Sequence, residues 1–252
     1  MNVPVLIPTF NNPTYLRNML AQLRSLRLSD IRVVDNASTF PPMLDLLATI
    51  EREFRVVRLH ENAGPRALLS AENRAALPQF FCITDPDLQF NPDLPANFPD
   101  RLIELTERHR IGKAGFALDI SEPEKLRPNL LWIRKRRWRI WEWEAQFWNR
   151  PLGEIEGNPY YAAAIDTTFA LCNQAYLDPS AQAGLFRAVR VAGRYTAKHL
   201  PWYRDHHLPP DEAEFYRTRA RRSVYVGLTV SERTSLASGE QIPDRSSDAS
   251  IR

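Results

Sequence analysis

The chain has 252 residues, 44% of them hydrophobic and 25% charged, the balance of an ordinary soluble globular protein. Its net charge of +3 is too slight a basic excess for a general nucleic-acid binder, so nucleic acid is not an expected partner. No apolar run approaches the roughly 18–20 residues that cross a bilayer, and the N-terminus lacks the pattern of a signal peptide; a cytoplasmic chain is expected.

In chain order, Val3 to Ile7 is a short apolar strand that ends at Pro8-Thr9. Asn12-Pro13 then reads as a helix N-cap followed by proline at the first helical position. Leu16, Met19, Leu20, Leu23 and Leu26 follow at helical spacing and give one apolar face. Ile31 to Val34 is the next strand, stopping at Asp35-Asn36. A helix over Met43–Glu53 leads to a strand over Arg55–Leu59. A further helix over Arg66–Leu77 leads to the strand Phe80–Ile83. Such alternation predicts an α/β fold with a mostly parallel sheet and helices on both faces. Ligands of such sheets bind at the carboxyl ends of the strands. Thr9 and Asn11, Asp35 and Asn36, Asn62 and Arg66, and Asp85 and Asp87 follow four successive strands, so their joint placement points to a site.

Beyond Pro99 the pattern predicts a helix over Arg101–His109 and a strand from Lys113 to Leu118, ending at Asp119. Cys82 and Cys172 lie in apolar stretches without metal-site spacing and read as buried small hydrophobes. A strand-like run covers Ile165–Leu171, and a helix is expected over Asp211–Arg222. From Ser231 the chain is polar and aperiodic, as a disordered tail would be.

Asp85-Pro86-Asp87 carries the most chemistry. Two carboxylates one residue apart after a buried strand can both reach the mouth of a sheet, and Pro86 stiffens the turn between them. Carboxylate oxygens suit hard cations such as Mn²⁺ or Mg²⁺, which bridge diphosphate oxygens.

Four segments resemble glycosyltransferase family 2, of the GT-A type. They are Pro4 to Asn11, Ile31 to Ser38, Glu61 to Arg66, and Thr84 to Asp87, in family order over roughly residues 3 to 95. The resemblance implies a GT-A-type, Rossmann-like sheet in a single domain with a C-terminal extension. Residues 1–95 would form the nucleotide-sugar half, 96–230 the acceptor half and 231–252 the tail. It implies donor contacts from Pro8, Thr9, Asn11, Asp35, Asn36, Asn62, Arg66 and Asp85. It further implies a Mn²⁺ or Mg²⁺ site at Asp85 and Asp87. His199, within Lys198-His199-Leu200-Pro201-Trp202-Tyr203, resembles a C-terminal histidine that completes such a site; a surface or capping histidine is the competing reading. The implied activity is inverting transfer of a hexosyl or N-acetylhexosaminyl group from a nucleoside-diphosphate sugar, a UDP-sugar first. The acceptor would be a glycan or lipid-linked molecule in cell-surface polysaccharide assembly.

An inverting transferase needs a carboxylate to take the acceptor proton. The stretch from Leu185 to His199 contains no acidic residue, so the family's usual late acidic motif is missing. Asp166 is the first candidate because it interrupts an apolar run, with Glu144 second and Asp119 third. The segment Trp132–Arg150 holds five of the six tryptophans together with Arg134, Lys135, Arg136, Arg137 and Arg139. It admits an amphipathic helix, an acceptor-stacking surface, or peripheral contact with an anionic membrane on its inner face. Two other classes stay open: a sugar nucleotidyltransferase, weakened because Pro8 to Arg17 has no glycine, and a non-catalytic carbohydrate- or membrane-binding module.

Overall fold

The computed structural model describes residues 3–64, 68–69, 71–128, 130–133, 136–178 and 187–219. Arg66, Arg134, Lys135 and the tail expected over 231–252 therefore lie outside the described residues.

Strands β1 (Val5–Thr9), β2 (Ile31–Asp35), β3 (Arg55–Arg58), β4 (Phe80–Ile83) and β5 (Leu88–Phe90) occupy the first part of the chain. With them alternate helices α1 (Pro13–Ser25), α2 (Pro41–Ile50) and α3 (Ala71–Ala75). Then follow α4 (Phe98–His109), β6 (Lys113–Phe116), β7 (Leu130–Ile133), β8 (Arg136–Arg139), α5 (Ile140–Ala145), β9 (Pro151–Ile155) and β10 (Asn158–Ala162). The chain continues with β11 (Ala170–Asn173), β12 (Val189–Val191), β13 (Ala197–His199) and α6 (Pro210–Arg219).

Nine strands make one sheet in the order β3-β2-β1-β4-β11-β6-β12-β10-β9. β1, β2, β3 and β4 pair in parallel, as do β6 and β12, while β11 and β10 run against their neighbours. The expected α/β architecture with a mostly parallel sheet is thus the one observed. The carboxyl ends of β1, β2, β4 and β6 share one edge because β11, antiparallel to both β4 and β6, sets those two in the same direction. Gly115 permits the close approach of β6 and β11: a Cβ there would fall 2.2 Å from the Phe169 carbonyl oxygen.

The helical periodicity of α1 is used as read, with Leu16, Met19, Leu20 and Leu23 buried against β1 and β2 in the main core. Burying one such leucine stabilises the fold by about 1.5–3 kcal/mol. Cys82 and Cys172 are free and buried on the adjacent strands β4 and β11, as expected.

Of the helix expected over Arg66–Leu77, residues 66, 67 and 70 lie outside the described residues, and Ala71–Ala75 is helical. Two expectations need correction. The run Ile165–Leu171 becomes a strand only from Ala170. Its earlier carbonyls are taken individually, by Lys113 Nζ at Ile165 and Asp166 and by the Asp85 amide at Thr167, and not by a ladder. The tryptophan-rich segment is no continuous amphipathic helix. It folds as the separate two-stranded hairpin β7–β8 followed by the short α5, with Leu131 opposite Trp138 and Trp132 opposite Arg137 across the strands.

Candidate active site

β1 leads into a loop in which Asn11 adopts a left-handed backbone (φ 53°) and is wholly buried. Its Oδ1 accepts hydrogen bonds from the Thr39 and Phe40 amides (2.7 and 2.9 Å), just ahead of α2. Its own amide donates to Ser38 Oγ (2.9 Å), and the Ser38 amide donates to both Asp35 carboxylate oxygens (3.3 and 3.1 Å). The Asn36 amide closes the arrangement onto the Thr9 carbonyl (2.9 Å). The loops after β1 and β2 are therefore one interlocked corner. Two buried amide atoms there, Asn11 Nδ2 and Asn36 Oδ1, have no hydrogen-bond partner, an unmet demand that a ligand's polar edge can satisfy. Pro8 and Thr9 complete the corner as the last buried residues of β1, and Thr9 Oγ1 donates to Asn12 Oδ1 (2.6 Å). Asn62 is exposed after β3 and accepts the Gly64 amide (3.0 Å), which shapes the turn before the undescribed Arg66.

Asp85 and Asp87 follow β4. Asp85 Oδ2 accepts from Thr167 Oγ1 (2.9 Å), and the Asp85 amide donates to the Thr167 carbonyl (2.9 Å), so the turn after residue 165 orients this carboxylate. Burial and the neighbouring Asp87 charge push the Asp85 pKa up to about 7, against the pull of Thr167 and His199. β5 starts directly after Asp87 and pairs with β13, His199 opposite Leu88. The Leu200 amide donates to the Asp87 carbonyl (2.9 Å). This pairing sets His199 Nε2 3.4 Å from Asp87 Oδ2. Burial alone would lower the His199 pKa; the charges of Asp87, Asp85 and Glu144 and the hydrogen bond to Asp87 outweigh it and raise it. Gln22 of α1 anchors the same ribbon, donating to the Leu88 carbonyl (2.9 Å) and accepting from the Phe90 amide (2.7 Å).

The three candidate bases have separate environments. Glu144 is 1% exposed and ion-paired to Arg190, which is 5% exposed; the guanidinium also donates to the Ala164 carbonyl (2.8 Å) and lies 4.1 Å from the Phe147 ring centroid. Burial raises the Glu144 pKa while Arg190 pulls it down. Asp166 is half-buried beside Asp85, and the fully buried Lys113 holds its backbone carbonyl (3.0 Å). Asp119, just past β6, accepts the Ser121 amide (2.9 Å) and lines an open cavity of about 560 Å³ with Asn91, Ala145, Trp148 and Thr196.

Residues 5–117 match the family model described as glycosyl transferase family 2. No curated protein sequence matches the chain. Among solved structures it is similar to the mannosyltransferase PcManGT from Pyrobaculum calidifontis, in complex with GDP-Man and Mn²⁺, at 16% identity and a TM-score of 0.48. The likeness covers 87% of this chain, which spans 61% of that one. It is also similar to a cytidylyltransferase from Leptospira borgpetersenii serovar Hardjo-bovis at 16% identity and a TM-score of 0.33, over 46% of this chain and 54% of that one. The matched segment contains Asp35, Asp85 and Asp87, whereas Glu144, Asp166, Arg190 and His199 are supplied by the chain beyond it.

Thr167, Arg190 and Ser38 were not singled out by motif. Arg190 had a signal, a lone cation between Val189 and Val191 in an otherwise apolar strand. Glu212 of α6 had none: it reaches back across the chain to accept the Thr14 amide and hydroxyl at the start of α1 (3.2 and 2.6 Å). Phe215 packs on Phe40 beside it, with ring centroids 4.6 Å apart, so the C-terminal helix buttresses the β1–β2 corner.

Proposed function

We propose that the chain moves a hexosyl or N-acetylhexosaminyl group, with inversion, from a nucleoside-diphosphate sugar (a UDP-sugar first) to a glycan or lipid-linked acceptor in surface polysaccharide assembly. One observation carries the reading: two carboxylates at the end of β4, with His199 folded against the second, stand on the edge where the β1–β2 corner leaves buried amide atoms unpaired.

A divalent cation fits this corner. Asp87 Oδ1 is buried without a hydrogen-bond partner, and carboxylate oxygens are the donors that Mn²⁺ and Mg²⁺ prefer. Among the described residues no group of three or more His, Cys, Asp or Glu side chains stands ready as a metal cage. Asp85 and Asp87, with His199 beside them, therefore make an incomplete site, of the kind a diphosphate and water complete. A cation held there supplies charge neutralisation at the departing diphosphate.

The chain's own groups divide the remaining work. Thr167 orients the Asp85 carboxylate. The β1–β2 corner, with Pro8, Thr9, Asn11, Asp35 and Asn36, receives the nucleotide, and Asn62 and Arg66 are further donor contacts. Asp119 takes the acceptor hydroxyl proton as the acceptor oxygen bonds to the anomeric carbon and the bond to the diphosphate oxygen breaks. Its place on the open cavity supports this choice over Glu144, whose carboxylate is engaged by Arg190, and over Asp166, which lies beside Asp85.

The test is a panel of sugar nucleotides with and without Mn²⁺, followed by nucleoside diphosphate release. Metal-dependent release that Asp87→Ala abolishes is the expected result. Pyrophosphate chemistry would instead favour a nucleotidyltransferase, and tight donor binding without turnover a non-catalytic module.

A further inference from the structure

The hairpin β7–β8 carries an unusual surface, which the helix after it continues toward the cavity wall. Arg136, Arg137 and Arg139 are all exposed, and no described carboxylate forms an ion pair with them. Several arginines elsewhere on the surface are ion-paired: Arg24 to Glu53, Arg58 to Glu51, Arg101 to Glu104 and Glu156, and Arg217 to Glu214. In the hairpin the cations stand over indoles instead, Arg136 at 4.0 Å from the Trp138 ring centroid and Arg139 at 5.2 Å from that of Trp141. Glu142, the nearest acid in sequence to Arg139, uses its carboxylate to accept the Arg139 backbone amide (3.0 Å).

The aromatic rings form a row. Trp138 meets Trp143 edge-on at 5.8 Å, and Trp143 meets Phe147 at 5.6 Å. Trp138, Trp141, Trp143 and Phe147 are all half-buried. The row ends beside Ala145 and Trp148, which line the cavity that Asp119 faces. One continuous segment thus joins a basic, aromatic face to the cavity wall.

We propose that the face formed by Arg136, Arg137, Arg139, Trp138 and Trp141 docks on an anionic phospholipid surface. Unpaired guanidinium groups meet lipid phosphates bidentately, and half-buried indoles suit the headgroup depth, where one edge is wet and the other apolar. The tryptophans favour a bilayer over a soluble polyanion, which needs cations but no row of apolar ring edges. Among the described residues no helix is long and apolar enough to cross a membrane, so this contact would be peripheral. Its value to the enzyme rests on the glycosyl-transfer reading above: docking would bring the cavity to the headgroup layer, where a lipid-linked acceptor presents its sugar.

Co-sedimentation of the full chain with phosphatidylcholine vesicles, with and without phosphatidylglycerol, tests the proposal. Binding is expected only to the anionic vesicles, and added salt should weaken it. Combined Arg136→Glu, Arg137→Glu and Arg139→Glu should reduce it by more than about tenfold, and combined replacement by Gln by less. Circular dichroism and thermal melting check that both variants remain folded. Brominated lipid should quench tryptophan fluorescence in the wild type. Nucleoside diphosphate release with a soluble acceptor should be unchanged in both variants. Equal binding to neutral vesicles, full binding by the charge-reversed chain, or capture by heparin without vesicle binding would overturn the proposal. Loss of donor turnover in the wild type with vesicle binding intact would instead sink the transferase reading alone.

Discussion

The β1–β2 corner and the β6–β12 side of the same sheet edge are held together by different forces. The first is a lattice of short hydrogen bonds in which Asn11, Ser38 and Asp35 satisfy backbone amides of neighbouring loops. The second rests on one buried ion pair, Glu144–Arg190, with Phe147 stacked on the guanidinium. Side chains capping nearby amides fix a loop's shape at a modest cost for each bond lost. A buried ion pair concentrates its cost in two residues, either of which leaves an unpaired charge when removed. The corner should therefore fail gradually under mutation, and the opposite side abruptly.

The largest expected effect is on chemistry. Asp119→Asn should lower kcat by about 10²–10⁴-fold with donor KM little changed, measured by initial rates with saturating acceptor. A comparable fall in Asp166→Asn with Asp119→Asn near wild type would transfer the role to Asp166. Next, Arg190→Met should destabilise the protein by about 3–5 kcal/mol, read by urea titration, because Glu144 stays buried without its partner. Adding Glu144→Gln to that variant should recover part of the loss; strict additivity would contradict a coupled pair. Smaller again, Asn11→Ala should cost about 1–3 kcal/mol by freeing the Thr39 and Phe40 amides, and should raise donor KM. Equal losses in Asn11→Ala and Arg190→Met would erase the contrast between the two sides. The smallest change is expected for Glu212→Gln, which keeps an acceptor for the Thr14 amide and hydroxyl; a shift of less than about 1 kcal/mol is the expected result.

The same contrast explains what was legible in the sequence. The corner was readable because its rules are local: apolar strands, Pro13 at the head of a helix, and polar residues just after each strand. Asp85 and Asp87 stood out for that reason. His199 was associated with them only by resemblance, since its approach to Asp87 depends on β13 crossing more than a hundred residues back to β5. The β6–β12 side was opaque. Nothing near Glu144 signals that Arg190 will neutralise it, and the strand-like pattern of Ile165–Leu171 concealed a turn whose carbonyls serve Lys113 and Asp85. The arginines and tryptophans of the hairpin admitted a helix among other readings, because an aromatic-rich run fits either period until its cross-strand partner is known.

On the proposed reading, Asp85 and Asp87 receive a cation together with the donor diphosphate. Calorimetric titration of a nucleoside diphosphate, with Mn²⁺ and with EDTA, into the wild type and Asp87→Ala tests it most directly. Metal-dependent binding that weakens by more than about tenfold in Asp87→Ala is the predicted result. Equal affinity with and without the metal, unchanged by Asp87→Ala, would contradict it.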